Sequence, residues 1–161
     1  MKLCDLFEGR RRLDQGELEV LGLLIHDKKH FTSRGNRHGD LDSAIEKLKT
    51  KSKKDLYRGV SDVELELIRS DKANFYLSFS EDINIAKRYG KVITLKSGAI
   101  GLNYWEWGEA DQLAQKKEDP KDWDAQDGEF MLETFREEKE WVFPFHMKLT
   151  ENENLVFETK S

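Results

Sequence analysis

The sequence predicts an α+β domain, helical at first and built on a mostly antiparallel sheet system after that. Three observations predict it. Apolar residues between Leu18 and Leu48 recur at three- and four-residue steps, whereas from Leu56 onward they alternate. The third is length: 161 residues suit one domain with an ordinary core that needs no metal or disulfide staple. Residues 1–161 are therefore taken as a single domain, with 1–39 an N-terminal helical extension and 40–161 the core.

Each element follows from its own pattern. Leu18, Leu21, Leu24 and Ile25 predict an amphipathic helix of about ten residues ending near 26–29. The polar, Gly-punctuated stretch 32–39 reads as a loop. Asp40 or Asp42 then caps a helix whose apolar side is Leu41, Ala44, Ile45 and Leu48. It runs out into Lys47, Lys49, Lys51, Lys53 and Lys54, cations that suit a solvated helix C-terminus. Leu56–Val60 is a strand with Arg58 between Leu56 and Val60 on one side. Ser61 and Glu64 fit a capping box that opens a short helix. In the next strand Phe75, Leu77 and Phe79 point one way, and Tyr76, Ser78 and Ser80 the other. Ser80 caps a helix running to Arg88 with Gly90 as its stop, and 92–95 is a strand. Residues 101–128 hold Trp105, Trp107 and Trp123 with no clean period, apart from a helix over 110–117. Residues 138–147 alternate as a long strand, and 155–157 form the last one.

Composition excludes several functions. The chain carries 27 Lys+Arg against 32 Asp+Glu, a net charge of −5, which argues against an acidic tail and a dedicated nucleic-acid binder. No apolar run is long enough for a membrane span, and no secretory signal precedes the first charges, so a cytoplasmic location is expected. Cys4 stands alone, which excludes an internal disulfide and a cysteine zinc site. His26 and His30 are four apart but lack a third ligand at a recognisable spacing, so no metal is expected. Neither a glycine-rich dinucleotide fingerprint nor a Walker-type loop is present.

Three signals remain: Tyr57-Arg58-Gly59, Ser78-Phe79-Ser80 and Glu138-Lys139-Glu140. An arginine on a strand can fork onto a diphosphate, and Gly59, lacking a Cβ, lets the backbone approach the ligand. Ser78 and Ser80 share one strand face and can bond a sugar or hold a carboxylate. On a strand Glu138 and Glu140 project to one side roughly 7 Å apart. One can stabilise an oxocarbenium-like centre while the other handles a proton, as paired carboxylates do in glycosyl transfer. Glu-x-Glu also occurs at Glu17/Glu19, Glu64/Glu66 and Glu151/Glu153, but only the copy at 138/140 runs into the apolar stretch Trp141-Val142-Phe143-Pro144-Phe145.

In this order the three signals resemble the R-S-E class of mono-ADP-ribosyltransferases, which includes bacterial exotoxins, bacteriophage enzymes and arginine-specific ecto-transferases. The likeness covers about residues 40–158, including a helix before the arginine strand and a strand followed by Gly98 and Gly101. It departs at Phe79, where the family usually has threonine, and in the longer, tryptophan-rich 101–137 stretch. The resemblance implies a split β-sandwich with helices preceding and flanking the sheets. It implies NAD as substrate, with Arg58 holding its phosphates or nicotinamide ribose, and Gly59, Ser78 and Ser80 completing the cofactor-binding set. Ser78 would orient Glu140, which would bond the ribose 2′-hydroxyl as nicotinamide leaves. Glu138 would activate the acceptor, an arginine of a target protein, and Phe135, Arg136 and Glu137 would form the acceptor-reading turn.

Two alternatives keep the same chemistry: water as acceptor, making an NAD glycohydrolase, or a nucleic-acid acceptor, which the lysines between 47 and 54 would favour. A third is of another class, a non-catalytic interaction domain whose contact surface is the tryptophan-rich segment.

Overall fold

The computed structural model describes residues 13–24, 38–72, 76–144 and 155–156. Among these the chain is a mixed α+β protein with six helices and two antiparallel sheets. Helix α1 (Gln15–Leu24) starts at a reciprocal cap. The Asp14 carboxylate accepts from the Glu17 amide at 2.8 Å, and the Glu17 carboxylate accepts from the Asp14 amide at 2.9 Å. Val20, Leu21 and Leu24 are buried, against Leu41, Ala44 and Ile45 of α2 (His38–Leu48). Helix α2 begins before both predicted caps, so Asp40 lies within its first turn, where a carboxylate suits the helix dipole.

The strand β2 (Leu56–Val60), found where the alternating pattern predicts one, lies at the centre of the five-stranded sheet. The strand β3 (Ser78–Ser80) pairs on one side of it and β4 (Lys91–Leu95) on the other. The edges are β6 (Glu140–Val142) beside β3 and β7 (Leu155–Val156) beside β4. A separate pair joins β1 (Thr50–Lys51) to β5 (Ile100–Gly101). Between the strands lie α3 (Asp62–Arg69) and α4 (Ile83–Lys87), then α5 (Tyr104–Glu118) and α6 (Ala125–Glu138). Gly90 turns the chain from α4 into β4 at φ 126, a backbone conformation closed to most side chains.

Several expectations are corrected. Ser80 does not cap α4. It ends a strand, and Asp82 caps instead, its carboxylate accepting from the Asn84 amide at 2.9 Å. The helix expected over 110–117 runs from 104 to 118, and a second helix follows it. Both hide their period because neighbours cover more than one side: Tyr104, Trp107, Gly108, Gln112 and Ala114 of α5 are all buried. The long strand expected from 138 shrinks to Glu140–Val142, since α6 runs through Glu138. Lys139 makes the junction in the left-handed region at φ 44, its amide donating to Phe135 O at 3.0 Å. Phe75, 145–147 and Phe157 lie outside the described residues.

Two apolar clusters result. One joins α1, α2, α5 and α6 around Leu21, Ile45, Tyr104, Trp107 and Phe135. The other fills the sheet with Leu56, Phe79, Ile93, Leu95, Trp141 and Phe143. Trp105 packs against both, and its indole N–H donates to Glu81, which also accepts from the Trp141 indole at 3.0 Å. The three tryptophans of the 101–137 stretch therefore hold it together. Trp107 stacks on Tyr104 at 5.9 Å between centroids, and Trp123 donates to Gln112 at 3.1 Å. Among the described residues no helix is long and apolar enough to cross a membrane.

Candidate functional site

A cavity of about 370 Å³ opens beside the sheet, at the small end of ligand pockets at roughly 300–1,000 Å³. Arg58, Gly59, Ser78, Ser80, Glu138 and Glu140 all line it, although 82 positions separate the first from the last.

The sheet register brings them together. Tyr57 lies opposite Ser80, and Ser80 opposite Glu140, so these three form a row across β2, β3 and β6. Residues directly opposite in an antiparallel pair put their side chains on the same face, a few ångströms apart. Glu140 is only 6% exposed, and Trp141, Val142 and Phe143 after it are core residues. Ser80 bridges two segments: its hydroxyl donates to Glu138 O at 2.6 Å and accepts from the Asp82 amide at 3.0 Å. Glu81 N adds a bond to Lys139 O at 3.1 Å. The turn carrying both glutamates is thus fastened to the end of β3 at successive residues.

Arg58 shares the side of β2 that holds buried Leu56 and Val60, so its guanidinium needs partners. It finds them at the end of the strand. Nε donates to Glu64 at 2.6 Å, and Nη1 donates to Ser78 O at 2.8 Å and Ser78 Oγ at 3.3 Å. The hydroxyl expected to orient Glu140 is thus engaged with Arg58, and the serine facing Glu140 in register is Ser80.

Three further expectations change or are added to. Glu138 and Glu140 do not share a strand face: one ends a helix, the other starts a strand, and both still reach the cavity. Gly59 has a packing reason of its own, since a Cβ there would stand 1.9 Å from Ala86 O of α4. The predicted acceptor-reading turn is helical. Phe135 is 3% exposed and meets Tyr104 edge-on at 5.3 Å, while Arg136 pairs with Glu109 at 2.6 Å and Glu137 with Arg88 at 3.6 Å. A residue that apolar, on the inner side of a helix, goes to the core.

The sequence reading missed Tyr57, Glu64 and Tyr89 as cavity residues. Glu64 had a signal, the capping box, but that pattern names only a helix start. Tyr89, 67% exposed at the end of α4, had none. Among the described residues no group of three or more His, Cys, Asp or Glu side chains could hold a metal ion. The lysine cluster is partly spoken for: Lys47 pairs with Glu17 at 2.6 Å, Lys49 with Glu46 at 2.6 Å and Lys54 with Glu81 at 3.4 Å. Compared with known protein families, with curated proteins and with solved structures, the chain has no match in any of the three.

Proposed function

We propose that the protein is an NAD-dependent mono-ADP-ribosyltransferase that modifies arginine side chains of a target protein. One observation carries this: the arginine, serine and glutamate signals, scattered along the chain, line a single cavity. The low-exposure carboxylate of Glu140 shares the cavity with that of Glu138, which supports a division of labour between two carboxylates as in glycosyl transfer.

In this scheme the bond between the ribose C1′ and the nicotinamide nitrogen breaks, and nicotinamide leaves with the bonding electrons. The ribose is left as an oxocarbenium ion. Glu140 accepts a hydrogen bond from the 2′-hydroxyl and stabilises the positive charge more strongly than the ground state, which is what accelerates the step. Arg58, held by Glu64 and Ser78, supports the ribose–phosphate side. The acceptor guanidinium attacks C1′ while Glu138 takes its proton.

The test is incubation of labelled NAD with lysate and with purified acceptor peptides, comparing wild type with Glu140→Gln and Glu138→Gln. Glu140→Gln should abolish nicotinamide release and label transfer together. Glu138→Gln should lose transfer to arginine, about 10²-fold as for loss of a general base, and keep slow hydrolysis. A wild-type protein that neither binds NAD nor releases nicotinamide refutes the enzyme and leaves the interaction domain.

A further inference from the structure

Glu81 stands one residue past the strand that faces Glu140, and its carboxylate takes no part in the proposed reaction. Its side chain is 8% exposed. It lines a second cavity, of about 320 Å³, with Trp105, Trp141 and Lys54, rather than the one that Arg58 and Glu140 line. A carboxylate taken that far from water needs hydrogen-bond donors. Oε2 accepts from two indoles, that of Trp105 and that of Trp141, the latter at 3.0 Å, and Oε1 lies 3.4 Å from Lys54 Nζ.

The bonds that Glu81 makes toward the glutamate turn flank Glu140. Its amide donates to Lys139 O at 3.1 Å, and its carboxylate accepts from the Trp141 indole. Lys139 and Trp141 are the neighbours of Glu140 on either side. The strand β6 is a three-residue edge strand that begins at Glu140, directly after the left-handed residue Lys139. Its far end is fixed by Val142, which exchanges two 2.9 Å backbone bonds with Leu102, and by the Phe143 amide, which donates to Leu77 O at 3.1 Å. At the near end that task falls to Ser80, through Glu138 O, and to Glu81. Trp105 belongs to the first turn of α5, so the carboxylate that grips β6 is itself braced by a helix.

We propose that Glu81 is a positioning residue for Glu140: its amide and its carboxylate grip the two neighbours of that glutamate and fix where the Glu140 side chain stands in the cavity. The inference rests on the proposed function and adds to it a residue that meets neither NAD nor the acceptor. A stabilising carboxylate acts only where it meets the developing charge, and a displacement of about 1 Å can cost 10²-fold in rate. Loss of the grip therefore slows bond breaking and leaves NAD binding, which the Arg58 side supports, nearly as it was.

The experiment is steady-state nicotinamide release from NAD, with and without free arginine as acceptor, for wild type, Glu81→Ala, Glu81→Gln and Trp141→Phe. Melting temperatures and NAD titrations are recorded alongside. Glu81→Ala should lower kcat per folded molecule by about 10- to 100-fold and move KM by no more than about two-fold. Glu81→Gln keeps a carbonyl oxygen that can accept both indoles, with Lys54, 70% exposed, able to turn into solvent, and should restore most of the rate. Trp141→Phe keeps an aromatic ring and removes the N–H donor. It should lower kcat by about ten-fold, and it carries the test if Glu81→Ala does not fold. A clamp that serves the fold alone would lower the melting temperature and leave kcat per folded molecule at wild-type level. That result in a folded Glu81→Ala or Trp141→Phe, a loss carried by KM, or a Glu81→Gln as slow as Glu81→Ala overturns the inference while leaving the transferase intact. A wild type that neither binds NAD nor releases nicotinamide refutes the transferase, and the inference with it.

Discussion

Glu17 and Glu140 are both buried glutamates, 0% and 6% exposed, and they are buried for different purposes. Glu17 sits in the helical half. Its carboxylate takes the Asp14 amide at 2.9 Å and Lys47 at 2.6 Å, linking α1 to α2. Glu140 sits in the sheet half on an edge strand, with a cavity in front of it and Ser80 across the register. A charge buried deep among protein groups contributes to the fold, whereas in the proposed function the carboxylate at the cavity is the one that meets the ligand. Burial alone distinguishes nothing here; what the carboxylate faces does.

The contrast can be tested by separating rate from stability. The largest effect belongs to Glu140→Gln, which should lower nicotinamide release by about 10²–10³, as loss of one placed electrostatic stabiliser does, with the melting temperature nearly unchanged. Gly59→Ala is the reverse case within the cavity wall. The added Cβ would meet Ala86 O at 1.9 Å, so α4 must shift, and chemical denaturation should read a loss of about 2–3 kcal/mol. Glu17→Ala should cost about 1–2 kcal/mol by the same measurement, the scale of a lost buried hydrogen-bonded partner. Nicotinamide release per folded molecule should stay at wild-type level; a rate loss like that of Glu140→Gln would break the contrast.

The smallest effect is one of pH. Burial pushes the Glu17 pKa up, but the Asp14 amide and Lys47 bond the charged form, and the net direction is down from 4.5. A group whose folded pKa is lowered stabilises the fold fully above its unfolded value and loses that contribution as pH falls through the folded one. Wild-type stability should therefore drop as pH is taken below about 4.5, and Glu17→Gln should show a shallower drop in that window.

Local patterns disclosed much of the sheet and part of the site. Leu56 and Val60 alternate with Arg58 so clearly that the central strand is found at its predicted bounds. Ser61 before Asp62-Val63-Glu64 marks the start of α3, and the capping bond is present at 3.1 Å. Phe135 shows where local patterns stop. The family resemblance implies a turn there, beside the glutamate motif, yet α6 carries it into the core against Tyr104. Helix α6 could not be read from period alone, because α5 and α6 pack on each other and their apolar faces are filled partly by Gly108, Gln112 and Gly128.

The sequence by itself determined the α+β class and supplied the arginine, serine and glutamate signals that line the cavity, because those depend on residue type and on spacing within one element. It could not determine who meets whom. That Ser80 faces Glu140, that Ser78 and Glu64 hold Arg58, and that Glu138 ends a helix follow from strand register and helix packing, with the paired residues 6 to 60 positions apart. Such contacts are selected by the free energy of the whole packed core, which no local window of the chain contains.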